Sequence, residues 1–116
     1  MKEFGLNKEE HIRSRKEVEQ VFQQGKIQAN PYLKIFYKEN SLAWSRFGII
    51  INKKFGNAVE RNRAKRHIRE LYRMNKNKLV SKSDRLFFIK NEFKSIPFRE
   101  KEKAFLELLE RSRDGA

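Results

Sequence analysis

The segment that most constrains the fold of this chain is residues 53 to 73, KKFGNAVERNRAKRHIRELYR. When residues 61 to 73 are placed at 100° intervals around a helix, starting from Arg61 at 0°, the apolar side chains share one flank. That flank spans about 280° to 20° and holds Ala64, Ile68, Leu71 and Tyr72. The segment therefore predicts a helix over about 58–74 with one side against a core.

The adjoining flank of the predicted helix is cationic. Six of the thirteen residues from 61 to 73 are Arg or Lys. Those between about 40° and 140° are Lys65, Arg66, Arg69 and Arg73, together with Asn62. A helix built for solubility alone would alternate acids and bases to gain i,i+4 pairs, yet the acids here are Glu60 and Glu70. This uncancelled charge indicates a surface that binds RNA or DNA phosphates.

The composition predicts a single small domain. The 116 residues include ten Phe, three Tyr and one Trp, and disordered chains are poor in aromatics. Of the net charge of +13, residues 46–73 contribute nine bases and two acids, so more than half of the excess is concentrated there. We expect one RNA-binding domain over residues 1–116, with 1–13 as an extended lead-in.

Several other classes of protein are disfavoured. The chain has no cysteine, which excludes disulfides and thiolate metal sites. No stretch approaches the ~20 apolar residues that cross a bilayer, and the start lacks the apolar region of a signal peptide. No segment joins the basic face to a Trp- and Leu-rich insertion face. We expect a cytoplasmic protein with no membrane partner.

The region before the basic helix predicts one helix and two strands. Ser14 and Glu17 have capping-box spacing, which predicts a helix over about 15–24 that ends at Gly25 in a left-handed conformation. The aromatic and β-branched run 32–38 predicts a strand, and 46–52 predicts a second strand that forms an antiparallel hairpin with it.

The region after the basic helix predicts one strand and one helix. Residues 85–89 form a short apolar run typical of a buried strand. Beyond Pro97, apolar residues at helical spacing predict a final helix over about 99–113. The order is α-β-β-α-β-α, with room for one further short strand that the pattern does not place. The expected fold is α+β, an α/β sandwich of three helices against a sheet of about four strands.

The segment FGNAVERNRAKRHIRELYR, with RFGIIINKK just before it, resembles the signature region of the bacterial ribonuclease P protein subunit. The family's hallmark is an Arg-Asn-Arg triplet, here Arg61-Asn62-Arg63, followed by further bases on the same helix. The first helix and the aromatic strand also occur in the family's order. The resemblance implies an α/β sandwich with a left-handed β-α-β crossover. It also implies a subunit that helps a catalytic RNA remove the 5′ leader of precursor tRNA.

The resemblance also implies two sets of binding residues. Those expected to face the RNA subunit are Lys53, Lys54, Arg61, Asn62, Arg63, Lys65, Arg66, Arg69 and Arg73. Those expected to hold the single-stranded leader are Val18, Phe22 and Phe36. Many family members have a second aromatic where this chain has Val18, which cannot stack on a base. Five further phenylalanines are assigned to packing: Phe47, Phe55, Phe87, Phe88 and Phe105.

No catalytic constellation is evident in the sequence. His11 and His67 are far apart, and the acids are scattered along the chain. We therefore expect no catalytic residue and no metal site in the protein, with the chemistry and its magnesium held by the RNA subunit. The implied partners are ribonuclease P RNA and precursor tRNA, and the protein alone is expected to be a monomer.

Two other functions stay open at this point. One is a free-standing RNA-binding or ribosomal protein without a catalytic partner. The other is a duplex DNA binder that places the basic helix in the major groove. No short helix-turn-helix pair precedes that helix, which disfavours the DNA binder.

Overall fold

A computed structural model describes residues 8–12, 14–79 and 82–112. It contains three helices and four strands within these ranges. In chain order they are α1 (Arg15–Gln24), β1 (Lys26–Ala29), β2 (Leu33–Glu39), β3 (Arg46–Ile51), α2 (Ala58–Asn75), β4 (Ser83–Ile89) and α3 (Phe98–Arg111). Single 3-10 turns occupy Lys8–Glu10, Lys53–Phe55, Lys76–Lys78 and Asn91–Ser95. The predicted helices and strands are confirmed, and β1 is an additional short strand.

The strands form one mixed sheet in the order β1-β2-β4-β3. β2 pairs antiparallel with β1 and with β4, whereas β3 and β4 are parallel. The predicted hairpin between residues 32–38 and 46–52 is therefore wrong, because β4 lies between them. β4 is buried at six of its seven positions and its second half, Leu86 to Ile89, is apolar on both faces, which suits a central strand better than an edge strand. The left-handed crossover of the β3-α2-β4 unit stays a prediction of the family resemblance.

Helices cover the two faces of the sheet unequally. α2 and α3 pack on one face, where the main core includes Ile35 of β2, Phe87 of β4, Ile68 of α2 and Phe105 of α3. α1 packs on the other face, where a small cluster consists of Ile12, Val21 and Leu86, with Val18, Phe36 and Ile50 partly buried around it. The second face is therefore only partly closed.

The ends of α1 differ in part from the prediction. Ser14 Oγ accepts a hydrogen bond from the Glu17 N–H at 3.4 Å, which confirms the N-cap, but the Glu17 carboxylate accepts from Arg46 at 3.2 Å. The predicted left-handed conformation of Gly25 is wrong, because its φ of −86° and ψ of 174° are those of extended backbone. A Cβ there would lie 2.5 Å from the Val21 carbonyl oxygen and 2.6 Å from that of Tyr37. Close approach of α1 to β2 therefore explains this glycine.

The described part of the predicted lead-in is joined to the sheet. His11 forms a parallel bridge with Phe47, and the Ile12 N–H donates to the Phe47 carbonyl at 2.9 Å. Glu10 and Lys76 form an ion pair at 2.9 Å that ties this segment to the end of α2. Residues 9–12 therefore cover the outer edge of β3, while residues 1–7 and 13 lie outside the described ranges.

Candidate nucleic-acid interface

Two local caps position the basic helix. Asn57 and Glu60 form a capping box, in which the Asn57 side chain accepts from the Glu60 N–H at 2.9 Å and the Glu60 carboxylate accepts from the Asn57 N–H at 3.0 Å. Asn52 caps the preceding turn by accepting from the Lys54 N–H at 3.1 Å. Phe55 in that turn is buried, so the turn is anchored while the adjacent Lys53 and Lys54 stay exposed.

The amphipathic prediction for α2 is confirmed. Its apolar flank is buried in the main core at Ala64, Ile68, Leu71 and Tyr72. Arg63, Arg66 and Arg69 are exposed and Lys65 is half-buried. Within the described ranges, none of these four cations forms an ion pair with a carboxylate. Their charge is therefore available to an external anion.

Two of the predicted RNA-facing residues also have intramolecular partners. Arg61 Nη1 donates to the Gly56 carbonyl at 2.6 Å, so this side chain bends back toward the loop before α2. Arg73 forms an ion pair with Glu70, and its hydrogen bond lowers the pKa of that carboxyl. A guanidinium has five N–H donors, so one bond leaves Arg61 able to contact phosphate as well. The charge of Arg73 is largely cancelled.

The three predicted leader residues lie together on the α1 side of the sheet. The Phe22 ring meets the Phe36 ring edge-to-face, with centroids 4.6 Å apart, and Phe22 stays 39% exposed. Val18 packs at the margin of the small cluster beside them. Lys34 Nζ lies 5.8 Å from the Phe36 ring centroid. We call this surface between α1 and the exposed part of the sheet the α1 cleft.

The α1 cleft also contains residues that the sequence pattern did not reveal. Ile27 on β1 is opposite Phe36 in register and 54% exposed. Phe88 was assigned to packing, but it is half-buried and pairs in register with Lys34, on the face opposite Phe87. Strand alternation separates Phe87 from Phe88, yet the continuous apolar run hides that alternation.

Several carboxylates are engaged in ion pairs. Asp84 holds Arg46 with two bonds of 2.9 and 2.7 Å, and this pairing is the main cause of the raised pKa of Arg46. Glu107 pairs with Arg111 at 2.7 Å.

In the described part of the chain, no three acidic or histidine side chains are grouped as metal ligands. None of the described helices is both long enough and apolar enough to span a membrane.

Comparison with known proteins identifies the family. A family model described as Ribonuclease P matches residues 6–113. The chain belongs to the ribonuclease P protein family. The ribonuclease P protein component of Syntrophus aciditrophicus is 39% identical over 98 residues, covering 84% of this chain and 82% of the relative. That of Thermotoga maritima is 32% identical over 110 residues, covering 91% and 94%.

Solved structures of ribonuclease P proteins share the fold. The Thermotoga maritima ribonuclease P protein superposes with a TM-score of 0.80 at 32% identity, covering 88% of this chain and 96% of that one. A Staphylococcus aureus ribonuclease P protein mutant gives a TM-score of 0.86 at 24% identity over 90% and 89%, a likeness that shows the fold alone. Family membership makes this chain a component of a ribonucleoprotein endoribonuclease that processes tRNA, with an RNA partner.

Proposed function

We propose that this ribonuclease P subunit binds two RNA ligands through two separate surfaces. The basic flank of α2, which consists of Arg63, Lys65, Arg66 and Arg69, binds the catalytic RNA. The α1 cleft holds the 5′ leader of precursor tRNA. The observation that supports this most is a set of cations on one side of a single helix that form no ion pair with any described carboxylate, at Arg63, Lys65, Arg66 and Arg69.

The basic flank has the chemistry that structured RNA requires. A guanidinium can hold two phosphate oxygens at once, which favours arginine where geometry as well as charge matters. Lys53 and Lys54 extend the cationic surface at the N-terminal end of α2, and Asn62 adds an amide. Each phosphate that is neutralised releases counterions, so affinity should fall steeply with salt.

The α1 cleft has the chemistry that a single-stranded leader requires. Phe22, Phe36 and Phe88 offer aromatic rings, and stacking of a base on a ring is tolerant of sequence. Lys34 beside Phe36 can neutralise a backbone phosphate. Such a cleft would accept leaders of many sequences, as a subunit that processes many precursor tRNAs requires.

The RNA subunit then carries the chemistry, using magnesium that it holds itself. The protein lowers the repulsion between two polyanions and positions the substrate. Three of its carboxylates serve structure, since Asp84 and Glu17 hold Arg46 and Glu60 caps α2. We further propose that the protein alone is a cytoplasmic monomer.

Reconstitution tests the proposed function. The purified chain is added to the ribonuclease P RNA of the same organism at low magnesium, and labelled precursor tRNA is followed on a gel. We expect the chain alone to leave precursor tRNA intact and the mixture to release the leader with a mature 5′ end. If adding the chain does not increase cleavage by the RNA, the proposal is contradicted.

Charge-matched variants localise the effect. Arg66→Gln with Arg69→Gln should lose most of the stimulation, because both changes remove cations from the basic flank. Arg99→Gln with Lys103→Gln removes the same charge from exposed positions of α3 and should retain it. Equal losses in both pairs would indicate that total charge, and not the flank, determines binding.

A further inference from the structure

A second cluster of basic groups lies where α2 meets α3. Lys101 Nζ of α3 is 3.4 Å from His67 Nδ1 of α2. The Phe98 ring of α3 meets the His67 ring edge-to-face with centroids 5.2 Å apart. Lys101 is 9% exposed, and its ammonium lies 5.1 Å from the Phe93 ring centroid. The packing of the two helices therefore fixes this group of side chains.

The charges in this cluster repel one another. The pKa of His67 is lowered by burial first, and then by Lys101, Arg63 and Arg66. The pKa of Lys101 is lowered by burial first, and then by Arg63. Among the described residues, no carboxylate is a cause of either pKa shift, and Glu70 on the same helix pairs with Arg73. Crowded cations at a partly desolvated site are stabilised when an anion binds.

The His67 ring is set up to donate a hydrogen bond. An ammonium has donors only, so the nearby Nδ1 of the neutral ring accepts and the ring proton lies on Nε2. Phe98 is 44% exposed beside it and offers an aromatic surface. Cationic donors, an imidazole N–H and an open ring together match a nucleotide, which has an anionic phosphate and a flat base.

We propose that Arg63, His67 and Lys101 form a phosphate-binding site for the RNA subunit, with Phe98 as a stacking surface for the adjoining base. The inference rests on the proposed function, because Arg63 joins the site to the basic flank and the ligand is the same RNA. It extends the interface from α2 onto α3. His67 and Lys101 are 34 residues apart in the chain, so the fold creates the site.

Binding to the RNA subunit over a range of potassium chloride concentrations tests the site. Lys101→Gln should weaken binding about tenfold, the effect of one charge-assisted contact. It should also reduce the slope of log affinity against log salt by roughly 0.7 to 0.9, the share of one phosphate. Unchanged affinity and slope would overturn the proposal.

Lys103→Gln is the matched control. Lys103 is an exposed lysine of α3 that lies about 200° around the helix from Lys101, so it faces away from α2. Its loss removes the same charge and should leave the affinity and the slope near wild type. If both variants weaken binding equally, the effect is one of total charge, and the proposed site is overturned.

A second measurement does not depend on how well Lys101 variants fold. The Cε1–H signals of the two histidines are titrated by NMR in the wild-type chain, with and without inorganic phosphate. Phosphate bound at the site should raise the pKa of His67, because an adjacent anion favours the imidazolium, while His11 serves as the internal reference. A His67 pKa that does not change, or falls, would overturn the proposal.

Phe98→Leu separates the stacking role from the charge. It should weaken RNA binding several-fold without changing the salt slope, because a ring contact neutralises no phosphate. Wild-type affinity in this variant would overturn the stacking role. Failure of the wild-type chain to bind the RNA would overturn the proposed function as well. If the wild-type chain stimulates cleavage as expected but the Lys101→Gln variant has unchanged RNA affinity and salt slope, this site alone is overturned.

Discussion

The two faces of the sheet are covered to very different extents. On the α2 and α3 face, sixteen described residues form a continuous buried core. On the α1 face the small cluster has three buried apolar residues among those described, and Phe22 and Ile27 remain exposed. One helix of ten residues cannot cover four strands. The first face therefore provides most of the stability, and the second leaves apolar surface for a ligand.

Adjacent residues of β4 show the same contrast at the scale of one strand. The Phe87 ring is fully buried and stacks on Phe105 with centroids 5.1 Å apart. The Phe88 side chain lies on the opposite face and is half-buried. Two chemically identical side chains thus serve packing and, in our proposal, binding, because strand geometry turns them in opposite directions.

The largest expected effect is the loss of the buried ring. Phe87→Ala should lower the free energy of unfolding by about 3 to 5 kcal/mol, because it leaves a cavity in the main core. Phe88→Ala, the matched change on the open face, should cost about 1 to 2 kcal/mol, since less area leaves water there. Urea denaturation followed by circular dichroism measures both, and equal losses would contradict the comparison.

The next largest effect concerns the placement of α1 over the open face. Gly25→Ala should cost about 1 to 3 kcal/mol of stability, because the new methyl group overlaps two backbone carbonyl oxygens. Gln24→Ala, at the exposed neighbouring position, is the control and should be close to neutral. The same denaturation measurement applies, and a neutral Gly25→Ala would show that α1 shifts freely.

An effect on binding is expected where the cleft is open. Phe22→Ala should weaken the binding of precursor tRNA to the holoenzyme by about 1 to 3 kcal/mol, the value of one stacked base. Stability should change little by comparison, because the ring is partly exposed. Filter binding with substrates that have and lack a leader measures the difference. A loss that is equal for both substrates would place the effect outside the α1 cleft.

The smallest expected effect is a gain. Val18→Phe adds a ring at the half-buried margin of the small cluster, where the family resemblance implies a second aromatic. It should strengthen leader-dependent binding by about 0.5 to 1.5 kcal/mol. The same pair of substrates measures it, with Val18→Leu as a control that adds bulk without a ring. Weaker binding by Val18→Phe would indicate that the α1 cleft has no room for a second aromatic.

Helical periodicity predicted more of this molecule than strand pattern did. α2 has 18 residues with a regular apolar flank, so its extent and its cationic side followed from the sequence. β1 has four residues and a single β-branched side chain, Ile27, so no pattern located it. The false hairpin arose because the sequence of β2 and β3 does not show that β4 pairs between them. Similarly, the pairing of His67 with Lys101 depends on how α2 and α3 pack.

The central place of β4 affects how the chain folds during synthesis. β2 and β3 pair with β4 and not with each other, and β4 begins at Ser83. A nascent chain that has emerged from the ribosome only as far as α2 therefore lacks the strand that joins the two halves of the sheet. Assembly of the complete sheet must wait until Ile89, the last residue of β4, has left the ribosome.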